Sequence, residues 1–246
     1  MRPESVEVKV TIAAAVDEAV DTLQLGSGRR WNVLFCEDVT SGVTPSTPLL
    51  ELGVILRARR KSAAKGDSTV KLRPCRWSQL DPDFEENAET DDGDLKIEAD
   101  WAGPRRGLGA SLTVDWDDDR LRRVRDGDLP AAALFSKRQA SFLARCAPGR
   151  VNLATVTALR AFEAIRWDAF SVQVAAVPLE IRAERWTLSA DHDFLELSIV
   201  STVDAAAEAQ AALETFVTGR SLAIDQAQEN KTRRVLDLLV AELSTS

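Results

Sequence analysis

The 246-residue sequence predicts an α+β fold in a single domain spanning residues 1–246, with antiparallel strands and helices placed between them and after them. Three observations carry this expectation. Six segments alternate apolar and polar residues with a period of two. Other segments repeat apolar residues at helical spacing and carry helix-starting and helix-ending residues. No low-complexity linker and no fixed-period repeat divides the chain.

The elements follow in order. Residues 5–11 set Val6, Val8 and Val10 on one strand face, and Glu7 and Lys9 on the other. Val16, Val20 and Leu23 then recur as on a helix. Residues 50–60 are less regular but put Arg57 and Arg59 on one face, as residues 69–73 do for Lys71 and Arg73. From about 79 to 94 the chain turns acidic, with eight carboxylates between Asp81 and Asp94 and no base, and reads as a solvated, mobile loop. At 95–101, Leu95, Ile97, Ala99 and Trp101 oppose Lys96, Glu98 and Asp100. GPRRGLG at 103–109 lacks the Lys-Ser/Thr of a P-loop and reads as a hairpin loop, with Arg105 and Arg106 able to guard an opening. Leu112, Val114 and Trp116 then alternate with Ser111, Thr113 and Asp115. A helical insertion over about 130–168 comes next: Pro130 opens its first helix, Pro148-Gly149 closes it, and 151–168 form a second. Strands return at 177–184, where Glu180, Arg182 and Glu184 share a face, and at 194–199, where Leu195, Leu197 and Ile199 oppose Glu196. C-terminal helices cover about 203–244, the first capped by Thr202.

Composition excludes several chemistries. With His192 as its one histidine, placed in a presumed turn and given no role, the chain has no His-rich zinc site and no HExxH motif. Cys36, Cys75 and Cys146 are odd in number and widely spaced, so reduced thiols are expected rather than a disulfide framework. The N-terminus carries charges where a signal peptide needs an apolar core, and no run approaches the roughly 20 apolar residues of a membrane span. A soluble, cytoplasmic protein without a membrane partner is expected, with its oligomeric state open, a homodimer included. The net charge of −8 disfavours nucleic acid, but the acidic run alone carries eight negative charges. Eight bases lie between Arg57 and Arg76. The Trp residues lie mostly on apolar faces and read as core.

Strands with one apolar and one charged face admit two arrangements. The charged faces meet water on an ordinary sheet, leaving a protein whose work is contact with other proteins. Alternatively the sheet closes with its charges inward and amphipathic helices cover the apolar outside. The helices need such a surface, and the charged faces carry both signs, which favours closure. A cavity so lined suits a polyphosphate: several Lys and Arg offset its charge, and clustered carboxylates hold Mg²⁺ or Mn²⁺.

The order of motifs resembles the CYTH, or triphosphate tunnel metalloenzyme, superfamily. Ser5-Val6-Glu7-Val8-Lys9 is similar to its ExExK opening, LFCEDVT at 34–40 to its segment ending in an aspartate, LLELGVILRARR at 49–60 to its Arg-x-Arg strand, and STVKLRP at 68–74 to its lysine strand. FLELSI at 194–199 resembles its C-terminal glutamate strand, and Lys231 sits where members keep a late lysine. The resemblance implies an eight-stranded antiparallel β-barrel, a tunnel open at both ends with outer helices. It implies a metal-dependent activity on a triphosphate: a hydrolase of inorganic triphosphate, thiamine triphosphate or a nucleotide, or, less favoured, an adenylate cyclase. By position Glu7 and Glu196 would be metal ligands, Lys9, Arg57, Arg59, Lys71 and Arg73 would grip phosphate, and Lys231 would close over it; Glu7 and Lys9 are the catalytic candidates, and Arg182 is a further candidate for phosphate. Two positions depart, since Ser5 and Phe194 stand where the family pattern has carboxylates. Glu98, Asp100 and Glu184 are then candidates to complete the metal site. The competing expectation is a tunnel that binds a phosphorylated ligand without turnover.

Overall fold

The computed structural model describes residues 3–39, 46–62, 65–189, 191–226 and 231–243. Each alternating segment forms a strand, because both of its faces find something to bury. The elements are β1 (Ser5–Ile12), α1 (Val16–Thr22), β2 (Arg29–Glu37), α2 (Pro48–Glu51), β3 (Val54–Arg60), β4 (Gly66–Leu72), β5 (Ala88–Thr90), β6 (Gly93–Ala102), β7 (Arg105–Trp116), α3 (Arg120–Arg125), α4 (Lys137–Cys146), β8 (Thr157–Ala158), β9 (Phe162–Val174), β10 (Val177–Ser189), β11 (His192–Thr202), α5 (Ala206–Thr218) and α6 (Lys231–Glu242).

Eleven strands form one sheet in the order β1-β11-β10-β9-β2-β3-β4-β7-β6-β5, with β8 paired to β2. The sheet closes on itself through a parallel pairing of β1 with β6, which sets Glu7 opposite Asp100. Every other pairing among the described residues is antiparallel. The α+β class holds. The count of eight strands does not: nine strands lie on the closed circuit, with β5 and β8 as side branches.

The outer faces build two apolar cores. Val6, Val8, Val10, Leu195, Leu197 and Ile199 meet Leu213, Phe216 and Val217 of α5. Across the ring, Leu56, Val70, Leu72, Leu95, Ile97 and Leu112 meet Phe142 and Leu143 of α4. A capping box starts α4: Ser136 accepts from the Gln139 amide, whose side chain accepts from the Ser136 amide. Gln139 is fully buried and also donates to the carbonyls of Ser68 and Leu112, tying α4 to β4 and β7. A third core closes one end of the ring. There Val33, Phe35, Ile55, Trp186 and Phe194 turn inward and pack on Val235, Leu236, Leu239 and Val240 of α6.

Several expectations are corrected. Residues 151–168, expected as a second helix, contain none: 157–158 form β8, and 162–168 begin the 13-residue strand β9, paired on one side with β2 and on the other with β10. A bulge opposite Ile181–Ala183 breaks its alternation, which hid the strand. The acidic run is no free loop. Phe84 is buried against Phe142 with ring centroids 5.1 Å apart, Asp81 and Asp83 pair with Arg145, and β5 adds to β6. Thr202 does not cap α5, whose N-cap is Ala205 with no side-chain bond. The turn in GPRRGLG is confined to Gly103-Pro104, where Gly103 takes a φ of 55°, and Arg105 already begins β7. His192 opens β11 rather than sitting in the turn, within 3.1 Å of the Ser189 hydroxyl. Thr40 of the LFCEDVT segment, and residues 227–230 and 244 of the C-terminal region, lie outside the described residues.

Candidate functional site

Closure of the sheet decides where the charges go. All nine strands of the circuit, with the start of α6, line one cavity of about 280 Å³. Glu7, Lys9, Arg57, Arg59, Lys71, Arg73, Glu98, Arg182, Glu184, Glu196 and Lys231 all reach it. Lys71 and Arg73 do not lie on an outer solvated face, being only 18% and 19% exposed, whereas Arg182 is exposed. Gly109 of β7 leaves room for one of them, since a Cβ there would stand 3.1 Å from Cε of Lys71. Sequence reasoning missed Arg166 because β9 was read as helix, and missed Trp186, which lies inward beneath Lys231.

The charges are unequal. Nine lysines and arginines line the cavity against four glutamates, with Asp67 and Asp100 buried beside them. Four of these carboxylates fall into two cross-strand pairs, each bridged by one ammonium. Lys9 Nζ lies 2.7 Å from Glu7 Oε2 and 2.7 Å from Asp100 Oδ2. Lys231 Nζ lies 2.8 Å from Glu196 Oε1 and 3.7 Å from Glu184 Oε1, residues that face each other in the β10–β11 register. Arg73 adds a 2.8 Å bond to Asp100, and Lys71 approaches Glu98 at 3.7 Å. Arg59 makes a two-pronged bond to the fully buried Asp67, at 2.9 and 2.8 Å.

Burial opposes the charges of Glu7, Asp100, Glu184, Lys9, Lys71 and Arg57, and the neighbours differ in whether they overcome it. Burial pushes the Glu7 carboxyl up, but Lys9 and Lys71 outweigh it and hold Glu7 below its ordinary range. Asp100 is likewise held low against burial by Lys9, Lys71 and Arg73. Glu184 is brought down to about 2, burial again being overcome, here by Lys231 and the Trp186 indole N–H. Lys9, between two carboxylates, is raised despite its burial. The opposite holds for Lys71, whose nearest carboxylates stand 3.7 and 3.9 Å away, and for Arg57. Burial, reinforced by Lys9, lowers Lys71. Burial, reinforced by Arg59, lowers Arg57 to about 10. Arg57 bonds the Thr69 hydroxyl at 3.3 Å, but its buried Nε has no partner. Among the described residues no carboxylate pairs with Arg57, Arg166 or Arg182. Of these, Arg57 and Arg166 are half-buried and Arg182 is exposed; a buried cation without a partner is costly, and a polyanion is the chemistry that would satisfy it.

The donor set for Mg²⁺ or Mn²⁺ is less favourable. Among the described residues no group of three or more carboxylate, His or Cys side chains comes together to hold an ion. Glu7, Glu98, Glu184 and Glu196 are divided between lysines instead. Phe194 stands where the family pattern has a carboxylate and offers no oxygen to an ion. It packs on Trp186, with centroids 6.0 Å apart, in the apolar end closed by α6. As arranged, the residues do not fit a divalent ion, because an ammonium already stands within each carboxylate pair.

A closed sheet with an inward basic face and outer helices defines a tunnel-type protein, and comparison of folds agrees. The chain resembles the crystal structure of a provisionally assigned adenylate cyclase from Bacillus halodurans, with a TM-score of 0.57, 11% identity, and 94% of this chain and 98% of that chain covered. A protein of Pyrococcus horikoshii (TM-score 0.46, 10% identity, 94% and 98% covered) and a provisionally assigned adenylate cyclase of Vibrio parahaemolyticus (0.45, 11%, 96% and 98%) are less similar in fold. This likeness of fold agrees with the resemblance that the order of motifs carries. At these identities the likeness concerns the fold alone. No family model and no curated protein sequence matches the chain. Among the described residues no helix is long and apolar enough to cross a membrane.

Proposed function

We propose that the closed sheet is a binding tunnel for a polyphosphate-bearing anion such as tripolyphosphate, thiamine triphosphate or a nucleoside triphosphate. One observation carries this reading: nine cationic side chains converge on one cavity, and Arg57 among them keeps a buried Nε without an acceptor. Arg57, Arg166 and Arg182 would take phosphate oxygens through their planar donor forks, and Lys71 as a point charge. Arg59 and Arg73, already engaged by Asp67 and Asp100, would orient rather than neutralise. Isothermal titration with tripolyphosphate tests the reading. Saturable binding that Arg57→Met weakens supports it, and no heat with any triphosphate rejects it.

A second reading is Mg²⁺- or Mn²⁺-dependent hydrolysis of such a triphosphate, with cyclase activity less favoured. The pairing of Glu184 opposite Glu196 speaks for it, since opposed carboxylates are hard oxygen donors. Phosphate release in the presence of either ion, above that of Glu7→Gln, would establish it over binding alone.

A further inference from the structure

Opposed carboxylates on neighbouring strands repel unless a cation stands between them. In this tunnel both pairs have one, and both are ammonium groups belonging to the chain. Lys9 bridges Glu7 and Asp100 from β1 itself, at 2.7 Å to each. Lys231 bridges Glu196 and Glu184 from the first turn of α6, at 2.8 and 3.7 Å. Lys231 is held from below as well. Its Nζ stands 4.3 Å from the centre of the Trp186 ring, and the Trp186 indole N–H donates to the same Glu184. The helix carrying it is anchored by the fully buried Val235 and by Leu236 and Leu239.

We propose that Lys9 and Lys231 are built-in counter-cations, so that the tunnel holds its anion without a divalent metal. A divalent ion entering either pair would meet an ammonium at hydrogen-bond distance from the same oxygens, and one of the two must leave. The ammonium is tethered and needs no recruitment from solution. Its remaining N–H bonds serve phosphate oxygens as a metal's open positions would. This rests on the polyphosphate-binding reading for its ligand, but the assignment of the two lysines can be tested without that ligand.

The experiment has two arms. In the first, tripolyphosphate is titrated into the wild-type chain in EDTA and again in excess Mn²⁺, and the two affinities agree within about twofold. In the second, Mn²⁺ alone is titrated and its free fraction read by electron paramagnetic resonance. Wild type takes up none. Lys231→Met, which frees Glu184 and Glu196, gains Mn²⁺ binding, and Lys231→Met with Glu196→Gln loses it again. In EDTA the Lys231→Met chain binds tripolyphosphate roughly tenfold more weakly, and Mn²⁺ restores the affinity. Circular dichroism checks that α6 stays folded, and Lys231→Gln serves as the second variant if the Met chain does not fold. The proposal is overturned if EDTA abolishes wild-type binding, if wild type takes up Mn²⁺ alone, or if a folded Lys231 variant gains no Mn²⁺. Absence of tripolyphosphate binding in both conditions would defeat the binding reading alone, and the Mn²⁺ arm would still decide the role of Lys231.

Discussion

Arg57 shows the cost of this cavity most plainly. Its guanidinium is buried, its Nε lacks an acceptor, and burial together with Arg59 lowers its affinity for a proton to a pKa of about 10. Such a group opposes folding and favours ligand, so one substitution should move the two in opposite directions. Arg57→Met is expected to leave the melting temperature unchanged or raised, while tripolyphosphate affinity falls about tenfold to a hundredfold in calorimetry. Glu184 is the reverse case. Its carboxyl sits at about 2 in the folded chain, against an ordinary 4.5. A lowered acid contributes stability that is present above the unfolded value and is lost as pH falls through the folded one. Denaturant unfolding should therefore lose on the order of 2 kcal/mol between about pH 4.5 and about pH 2 through this group, and Glu184→Gln should flatten that slope. Glu7, Asp67 and Asp100 are lowered in the same sense and reinforce the trend. At this scale sequence could name the charged residues but not their partners. Glu7 and Lys9 were legible as one strand face, whereas Asp100, 91 positions from Lys9, becomes its partner only through the pairing of β1 with β6.

At the scale of elements, strands with clean alternation were legible and those shaped by distant partners were not. β1, β6 and β10 carry their two faces in their own residues. β9 does not: its bulge shifts the pattern between Trp167 and Phe170, and its pairing with both β2 and β10 overrides local helical spacing. That override cost the sequence reading Arg166. α6 was expected as a helix, but its place across one end of the ring follows from the inward turn of Phe35, Trp186 and Phe194. Leu236, 1% exposed, anchors it. Leu236→Ala should lower stability by about 2–5 kcal/mol in denaturant unfolding and also weaken tripolyphosphate binding, because Lys231 loses its support. Gln139→Leu probes the opposite side of the ring. It keeps volume but removes the bonds to the Ser68 and Leu112 carbonyls and leaves the buried Ser68 hydroxyl without its acceptor, costing about 1–3 kcal/mol, with binding unaffected.

For the whole molecule, the average charge misleads. The chain carries −8, yet its cavity is basic, and the acidic segment from Asp81 to Asp94 is docked on the outside through Phe84 and Arg145. An anion must therefore approach an acidic exterior before meeting a basic interior. Added salt screens the exposed charges more than the buried ones. The association rate for tripolyphosphate, measured by stopped flow through Trp186 fluorescence, should therefore change little or rise with moderate salt, while the equilibrium affinity falls as ions compete for the cavity.

The sequence by itself determined which residues share a strand face, that each face is either apolar or charged, and that carboxylates rather than histidines or cysteines are the available acidic donors. Those properties are local, set by a period of two and by side-chain chemistry. Only the tertiary structure decided which face turns inward, that the sheet closes through β1 and β6, and that each carboxylate pair receives a lysine instead of a third carboxylate. The physical reason is that closure is non-local. An open sheet and a closed one bury the same alternating faces, and the choice between them rests on the helices that cover the apolar outside.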